Sequence, residues 1–261
     1  MVSRVHRQRY PILEFDSSRD VFIDPYANYH YEGRSFHERV VLCFFQDVIG
    51  KLVLKHKARK IAVFRSEFGA NPAYEIKFKG KAIAVMHPGV GSALAAGFME
   101  EAISMGGRKL IACGGAGTLQ ENMTLGHLIV PTSAVRDEGA SYHYLPPGRE
   151  VKPDPKALKA IQKTLKKHGI SYVLGKTWTT DGLFRETRGK VALRRKEGCL
   201  SVEMECAAFF AVGKYRNVQC GQILYSGDDL SGDEYHNRYW IYQAHLREKV
   251  FWLAAEACAS L

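Results

Sequence analysis

Short apolar runs alternate along this chain with longer segments whose apolar residues recur at helical spacing, the rhythm of an α/β protein. Residues 40–45 read as the first buried strand. Residues 47–56 form the helix behind it, with Val48, Leu52 and His56 sharing one face, or Ile49 and Val53 another. Three short strands follow over 60–64, 74–78 and 81–86, the last two joined by a hairpin-like turn at Lys79-Gly80. Pro88-Gly89-Val90-Gly91 breaks the pattern. Residues 92–105 then predict a helix whose Ala93, Ala95, Ala96 and Gly97 let it lie close to a sheet, with Gly106-Gly107 as its stop. A buried strand over 109–113 runs into a glycine-rich turn, Gly114-Gly115-Ala116-Gly117-Thr118.

The second half keeps the same rhythm. Strands are expected over 128–131 and around Ala134-Val135, then a polar, aromatic loop over 136–144, a surface helix over 156–168 stopped by Gly169, and a strand over 171–179. A polar loop over 179–187 leads to a basic helix ending near Gly198. Residues 204–214 are helical, 222–226 form the last strand, and 238–260 the closing helix. These elements predict one α/β domain over residues 39–261, a three-layer α/β/α arrangement about a central mixed sheet. Residues 1–38, rich in Tyr, Arg and His without periodicity, read as an extension lying over the domain or a neighbouring subunit.

Composition narrows this picture without redirecting it. The 261 residues suffice for a substantial core, and 46% apolar with 25% charged residues is ordinary for a soluble protein. No run approaches the roughly 18 apolar residues of a membrane span. The basic start lacks an apolar core and cleavage site, so it does not read as a secretory signal, and a cytoplasmic location is expected. Six scattered cysteines, none in a C-x-x-C pair, read as reduced, buried thiols and argue against a zinc site or a disulfide framework. The net charge of +10 favours anionic ligands. The basic residues are dispersed at helical spacing, however, which points to solvated helix faces and not to a nucleic-acid surface.

The stretch that asks for chemistry is Val202-Glu203-Met204-Glu205, at the mouth of the apolar run Cys206-Ala207-Ala208-Phe209-Phe210. Carboxylates beside a buried run need a polar partner, which a ligand would supply. Taken alone, the stretch also fits a helix start, with acids in the first turn favoured by the helix dipole. The glycine run after residue 113 would let a ligand approach the backbone and could form an anion nest. It matches neither G-x-G-x-x-G before a helix nor a P-loop, so a dinucleotide or P-loop site is not supported.

Four loops, 113–118, 179–187, 201–205 and 226–229, fall at or beside strand ends, where open α/β sheets place ligands. In order and content they resemble the nucleoside phosphorylase/uridine phosphorylase superfamily, which includes nucleosidases, from about Val40 to the C-terminus. Val202-Glu203-Met204-Glu205 looks like its ribose-binding motif, Arg136-Asp137-Glu138-Gly139-Ala140-Ser141-Tyr142-His143 is close to a uridine-phosphorylase segment, and the Gly-Val-Gly-Ser break precedes Gly-Gly-Ala-Gly in the family's order. The resemblance implies that Glu205 bonds the ribose hydroxyls, Met204 lines the sugar's apolar face and Glu203 supports them. Asp228 would protonate or hydrogen-bond N7 of a leaving purine, a role that needs a pKa raised by burial. Asp229 is its adjacent competitor. Phe184 would stack on the base and Arg185 meet its carbonyl edge, while Gly114 and Gly115 would border the ligand. His30 would reach a neighbour's sugar, in at least a homodimer or a homohexamer. No metal or organic cofactor is implied.

Departures from the family's pattern concern the nucleophile. Phosphorolytic members carry Gly-Asp-Pro-x-Arg after the first strand, whereas this chain has Phe45-Gln46-Asp47-Val48-Ile49-Gly50. Ala112 stands at the family's next arginine position and Gly115 at its hydroxyl position; Arg65 alone matches a phosphate arginine, one lent across the subunit interface. A phosphate of about −1.5 to −2 charge calls for cationic contacts. Two outcomes stay open: phosphate as co-substrate held by Arg65, the glycine N–H groups and a nearby basic residue, or water as nucleophile with Asp47 as base. A catalytically silent nucleoside-binding protein is the reading from another class. The Asp228 position favours a purine and the 136–143 segment a uridine-type substrate.

Overall fold

The computed structural model describes residues 5–27, 32–33 and 36–261. In chain order the elements are β1 (Glu32–Gly33), β2 (Arg39–Cys43), α1 (Gln46–Leu54), β3 (Ala58–Ser66), β4 (Gly69–Phe78), β5 (Lys81–Met86), α2 (Ser92–Ser104), β6 (Lys109–Thr118), β7 (Leu128–Asp137), α3 (Ser141–Tyr144), β8 (Glu150–Val151), α4 (Pro155–Lys167), β9 (Tyr172–Thr180), α5 (Arg188–Lys196), β10 (Cys199–Glu203), α6 (Cys206–Arg216), β11 (Gln219–Asp229) and α7 (Ala244–Ser260). The strands form one mixed sheet in the order β1-β3-β4-β5-β2-β6-β10-β9-β7-β11, with β8 beside β7. One core lies between the sheet and the α2–α6 layer, built from residues such as Leu42, Met99 and Phe209. The other lies under α1, α4 and α7, with Val41, Ile111, Ile161 and Phe251. Alternation along β2 explains the split, since successive side chains of a strand point to opposite faces.

Strand β6 organises this sheet. Along one edge it pairs with parallel β11 from Lys109 to Thr118. Along its other edge it pairs with β2 as far as Cys113, and with antiparallel β10 from Gly117 onward. β2 and β10 therefore part company at residues 114–116. Because β11 also returns to β7, the strands β6, β10, β9, β7 and β11 close on themselves, which the expected layers did not include.

The glycine-rich run is thus not a turn. Gly114, Gly115 and Gly117 continue β6, and none has positive φ, so the alternating backbone of an anion nest is absent there. What they provide is room. A Cβ on Gly114 would lie 3.0 Å from the Phe44 ring, on Gly115 3.2 Å from Tyr225, and on Gly117 2.6 Å from Leu230.

Other boundaries moved for local reasons. Strand β10 was not foreseen, being short and closed by two acids. Helix α6 starts at Cys206 instead of Met204, and it is apolar all round because it is buried on all sides. α7 begins at Ala244, since Arg238 and Tyr239 hold left-handed backbone with φ of 53° and 50°. The segments expected at 128–131 and around residue 134 are one strand, β7, with a register shift between Pro131 and Ser133. Two thirds of the loop expected over 136–144 is the end of β7 and the short helix α3. Lys79-Gly80 is a two-residue turn with φ of 48° and 78°, the geometry hairpins favour. All six cysteines are buried and unpaired. Among the described residues, no helix is long and apolar enough to cross a membrane.

Glu256 fastens α7 to the rest of the molecule. Its carboxylate accepts from Lys79 Nζ at 2.7 Å, Lys167 Nζ at 2.6 Å and His168 Nε2 at 2.8 Å. The Lys167 and Lys79 hydrogen bonds hold its pKa down at about 2. A carboxyl depressed in the folded state stabilises above its unfolded pKa of about 4.3 and loses that contribution as pH falls through the folded value. Glu256→Gln should therefore cost about 1 kcal/mol at neutral pH. In thermal unfolding followed from pH 7 down to pH 2, the difference from wild type should shrink below about pH 4 and vanish near the lower limit.

Candidate active site

Glu203 is the last residue of β10, and α6 begins three residues later. A helix start leaves backbone N–H groups without partners, and here the carboxylate of Glu203 answers two of them. Its Oε2 accepts from the N–H of Glu205 at 2.8 Å and of Cys206 at 2.6 Å, and its Oε1 accepts from Thr179 Oγ1 at 2.6 Å. Thr179 Oγ1 accepts in turn from the Ala207 N–H at 3.0 Å, joining the end of β9 to the same helix start. Glu205 Oε1 accepts from the Gly91 N–H at 2.6 Å, and Ser92 Oγ donates to the Met204 carbonyl at 2.5 Å. Gly91 can aim that N–H because its φ is 88°, which side chains disfavour. Burial raises the pKa of both glutamates, and the charge of Glu203 raises Glu205 further. With these three short hydrogen bonds and a longer one from Thr177 Oγ1 at 3.5 Å, Glu203 is the better-held anion of the two; Glu205 is the one disposed to carry a proton until a ligand arrives.

These groups open into a cavity of about 290 Å³ set where β2 and β10 diverge from β6. All four predicted loops reach it, through Gly115 and Gly117, Leu183 and Glu186, Met204 and Glu205, and Gly227 and Asp228. One end is acidic. Burial raises the pKa of Asp228, against a lowering hydrogen bond from Tyr235 and the charge of Arg238. Glu186 rises to about 7 through burial and the charge of Asp228. Phe45, Gln222 and Trp240 line the cavity as well, with Arg247, the one guanidinium or ammonium lining it among the described residues. His87 also lines it. Burial lowers its pKa, keeping it neutral, and its Nδ1 accepts from the Gly89 N–H at 3.0 Å.

Several expected residues lie elsewhere. Phe184 is 94% exposed and Arg185 is exposed, so neither borders the cavity; a short 3-10 turn over Leu183–Arg185 presents Leu183 instead, with Glu186 just behind it. Gly114 packs beneath Phe44 and does not line the cavity, unlike Gly115. Asp229 turns away to accept from the Ser231 N–H at 2.8 Å and to pair with Arg238; although burial works against it, these contacts hold its pKa below the usual range. Asp47 does not line the cavity; its Oδ1 lies 2.8 Å from Arg247 Nη2. Arg65 is exposed near the end of β3, outside the cavity of its own chain. His30 lies outside the described residues. No cluster of metal-binding side chains occurs among the described residues.

Glu186, His87 and Arg247 escaped the sequence reading. Glu186 sits inside a predicted loop whose aromatic and basic neighbours carry the stronger signal. Arg247 lies in what reads as an ordinary amphipathic helix, and nothing in its local pattern marks it.

A model of the phosphorylase superfamily matches residues 38–250. A guanosine phosphorylase from Halorubrum lacusprofundi is 27% identical over 168 residues, which cover 63% of this chain and 70% of that protein. A uridine phosphorylase from Thermococcus kodakarensis is 30% identical over 180 residues, 64% of each chain. Matches to these relatives thus span about two thirds of their length. Among solved structures, a uridine phosphorylase from Vibrio fischeri superposes with a TM-score of 0.72 at 23% identity, covering 92% of this chain and 95% of that one. An AMP nucleosidase from Bacteroides thetaiotaomicron gives 0.70 at 21% identity over 86% and 88%.

Thr179→Val tests the framework of the site. It removes a donor to Glu203 and the acceptor of the Ala207 N–H, both buried, so urea unfolding should show a loss of about 1–3 kcal/mol.

Proposed function

The chain belongs to the phosphorylase superfamily, and we propose that it cleaves the N-glycosidic bond of a purine nucleoside, with phosphate displacing the base. The observation that carries this reading is the sharing of one cavity by Glu205, Met204 and Asp228. In this scheme Glu205 receives the ribose hydroxyls and Met204 lies against the sugar's apolar face. As the C1′–N bond breaks, positive charge develops on the sugar, and the two buried glutamates stabilise it in a site that excludes water. The bonding electrons pass to the base. Asp228 delivers its proton to N7, and a phosphate oxygen bonds C1′, giving ribose 1-phosphate and the free base. No metal or organic cofactor enters this scheme. In a homodimer or larger assembly, Arg65 would belong to a neighbouring copy's cavity.

The purine preference rests on what faces the base. Asp228 and Glu186 can donate to N7 and accept from ring N–H groups. The segment that favoured a uridine-type substrate does not line the cavity, and neither does Arg185, expected at the base's carbonyl edge. Arg185 is exposed outside the cavity, and Arg136 is buried in structural bonds, donating from Nε to Ser141 Oγ at 2.8 Å and from Nη1 to the Pro146 carbonyl at 2.7 Å.

Hydrolysis is the second reading, favoured by one observation: Ala112 is fully buried and Gly115 has no side chain, so the glycine segment offers a phosphate no side-chain donor. A panel of purine and pyrimidine nucleosides, followed by chromatography with and without phosphate, decides between them. Purine release that depends on phosphate is expected; equal release without it gives hydrolysis, and none in either condition sinks both. Asp228→Asn should lower kcat by about 10²–10⁴-fold. In wild type, kcat should fall as pH climbs past the raised pKa of Asp228, because the proton to be donated is then gone.

A further inference from the structure

Arg247 is 7% exposed and lines the cavity. A guanidinium has five N–H donors, and a buried one is costly unless they are used. Here they are used poorly. Nη1 donates to the Ile241 carbonyl at 2.7 Å, and the guanidinium lies 5.1 Å from the centre of the Phe45 ring. Nε has no hydrogen-bond partner, and Asp47 Oδ1, though 2.8 Å from Nη2, is not aligned to accept from it. Asp47 neutralises the charge without completing the geometry. Its side chain is 35% exposed, so it can leave the pair for solvent at small cost, whereas Arg247, at 9%, stays.

A tetrahedral oxyanion supplies what this guanidinium lacks, a second charged acceptor that can engage two parallel N–H groups. We propose that Arg247 is the anchor of the phosphate co-substrate, and that phosphate takes it over from Asp47 in a salt-bridge exchange. This inference rests on the phosphorolytic reading and deepens it. The C-terminal helix thereby provides the cation that the segment after β2 and residue 112 do not. Asp47 becomes a competitor of phosphate, not a base acting on water.

Steady-state kinetics in varied phosphate at saturating nucleoside, with calorimetric titration of inorganic phosphate into the free protein, test the exchange. Arg247→Gln should raise the phosphate KM and dissociation constant about 10–100-fold, the worth of a charge-assisted hydrogen bond, while the nucleoside KM moves less than about twofold. Arg247→Lys, which keeps the charge but not the fork, should recover part of the loss. Asp47→Asn should shift phosphate affinity the other way, tightening it severalfold. An unchanged phosphate KM in folded Arg247→Gln, or loss of turnover in Asp47→Asn, would overturn the exchange while leaving phosphate-dependent wild-type turnover intact. Wild-type release independent of phosphate would overturn this inference together with the phosphorolytic reading. Turnover of a nucleoside 5′-monophosphate without added phosphate, abolished in Arg247→Gln, would assign the guanidinium to the substrate's own phosphoryl group and overturn its role toward the co-substrate.

Discussion

The burial of the Glu203 carboxylate is the constraint around which this site is built. An unanswered charge at that depth would be prohibitive, so the chain must bring donors to it. It does so with the hydroxyl of Thr179 from β9 and two N–H groups from the start of α6. Each donor has its own reason to be there, since Thr179 is fixed by the β9–β10 pairing and the N–H groups have no helical partner. Glu203 thus reconciles a helix start, a strand end and a neighbouring strand in one set of hydrogen bonds. Its neighbour Glu205 inherits a fixed position: the N-cap place of α6, facing Gly91 across the cavity wall. The ligand-facing acid is precise because the acid behind it is satisfied.

The cavity itself follows from the way β6 shares its edge. β2 can accompany it only to Cys113 and β10 only from Gly117, so three residues face neither strand on that side. A gap in a sheet would ordinarily be filled by side chains. Glycine at 114, 115 and 117 prevents this, and Phe44, Tyr225 and Leu230 close in to the limits a Cβ would have set. The glycines act through absent volume. Such a role is indistinguishable in sequence from a role in turning the backbone, because both require glycine and only the surrounding strands decide between them.

That ambiguity marks the border of what could be read in advance. The central sheet with its helix layers and the helices α2 and α4 were legible because apolar period and stop signals agree there. The gathering of Glu203, Met204, Glu205 and Asp228 at one cavity was legible because their motif is dense and their loops fall at strand ends. Phe184 and Arg185 fall outside the cavity because a 3-10 turn rotates successive side chains by about 120°, leaving both exposed while Leu183, 51% exposed itself, borders the cavity. Arg247 was hidden for a different reason. A cation 200 residues from Asp47 in sequence acquires meaning only when α7 is laid over Phe45, and helical periodicity carries no information about which neighbour it will meet.

The distribution of charge in the cavity suits the glycosidic cleavage proposed for this protein. Negative charge begins on the nucleophile and ends on the base, while positive charge appears transiently between them. In this protein one cavity gathers a guanidinium, carboxyls with raised pKa and, at the centre of the proposed reaction, two buried glutamates. Reversing any one of these would oppose the electron flow. An anionic Asp228 would repel the electrons the base must accept, and an apolar centre would leave the sugar's charge without support. The centre is the hardest to build, since it concentrates like charges in a dry site. It is achieved by giving one glutamate a full set of donors and leaving the other short of them, so that the second has unused capacity for a ligand. The inequality between Glu203 and Glu205, set by the start of a single helix, is thus what turns a buried acidic pair into a binding site.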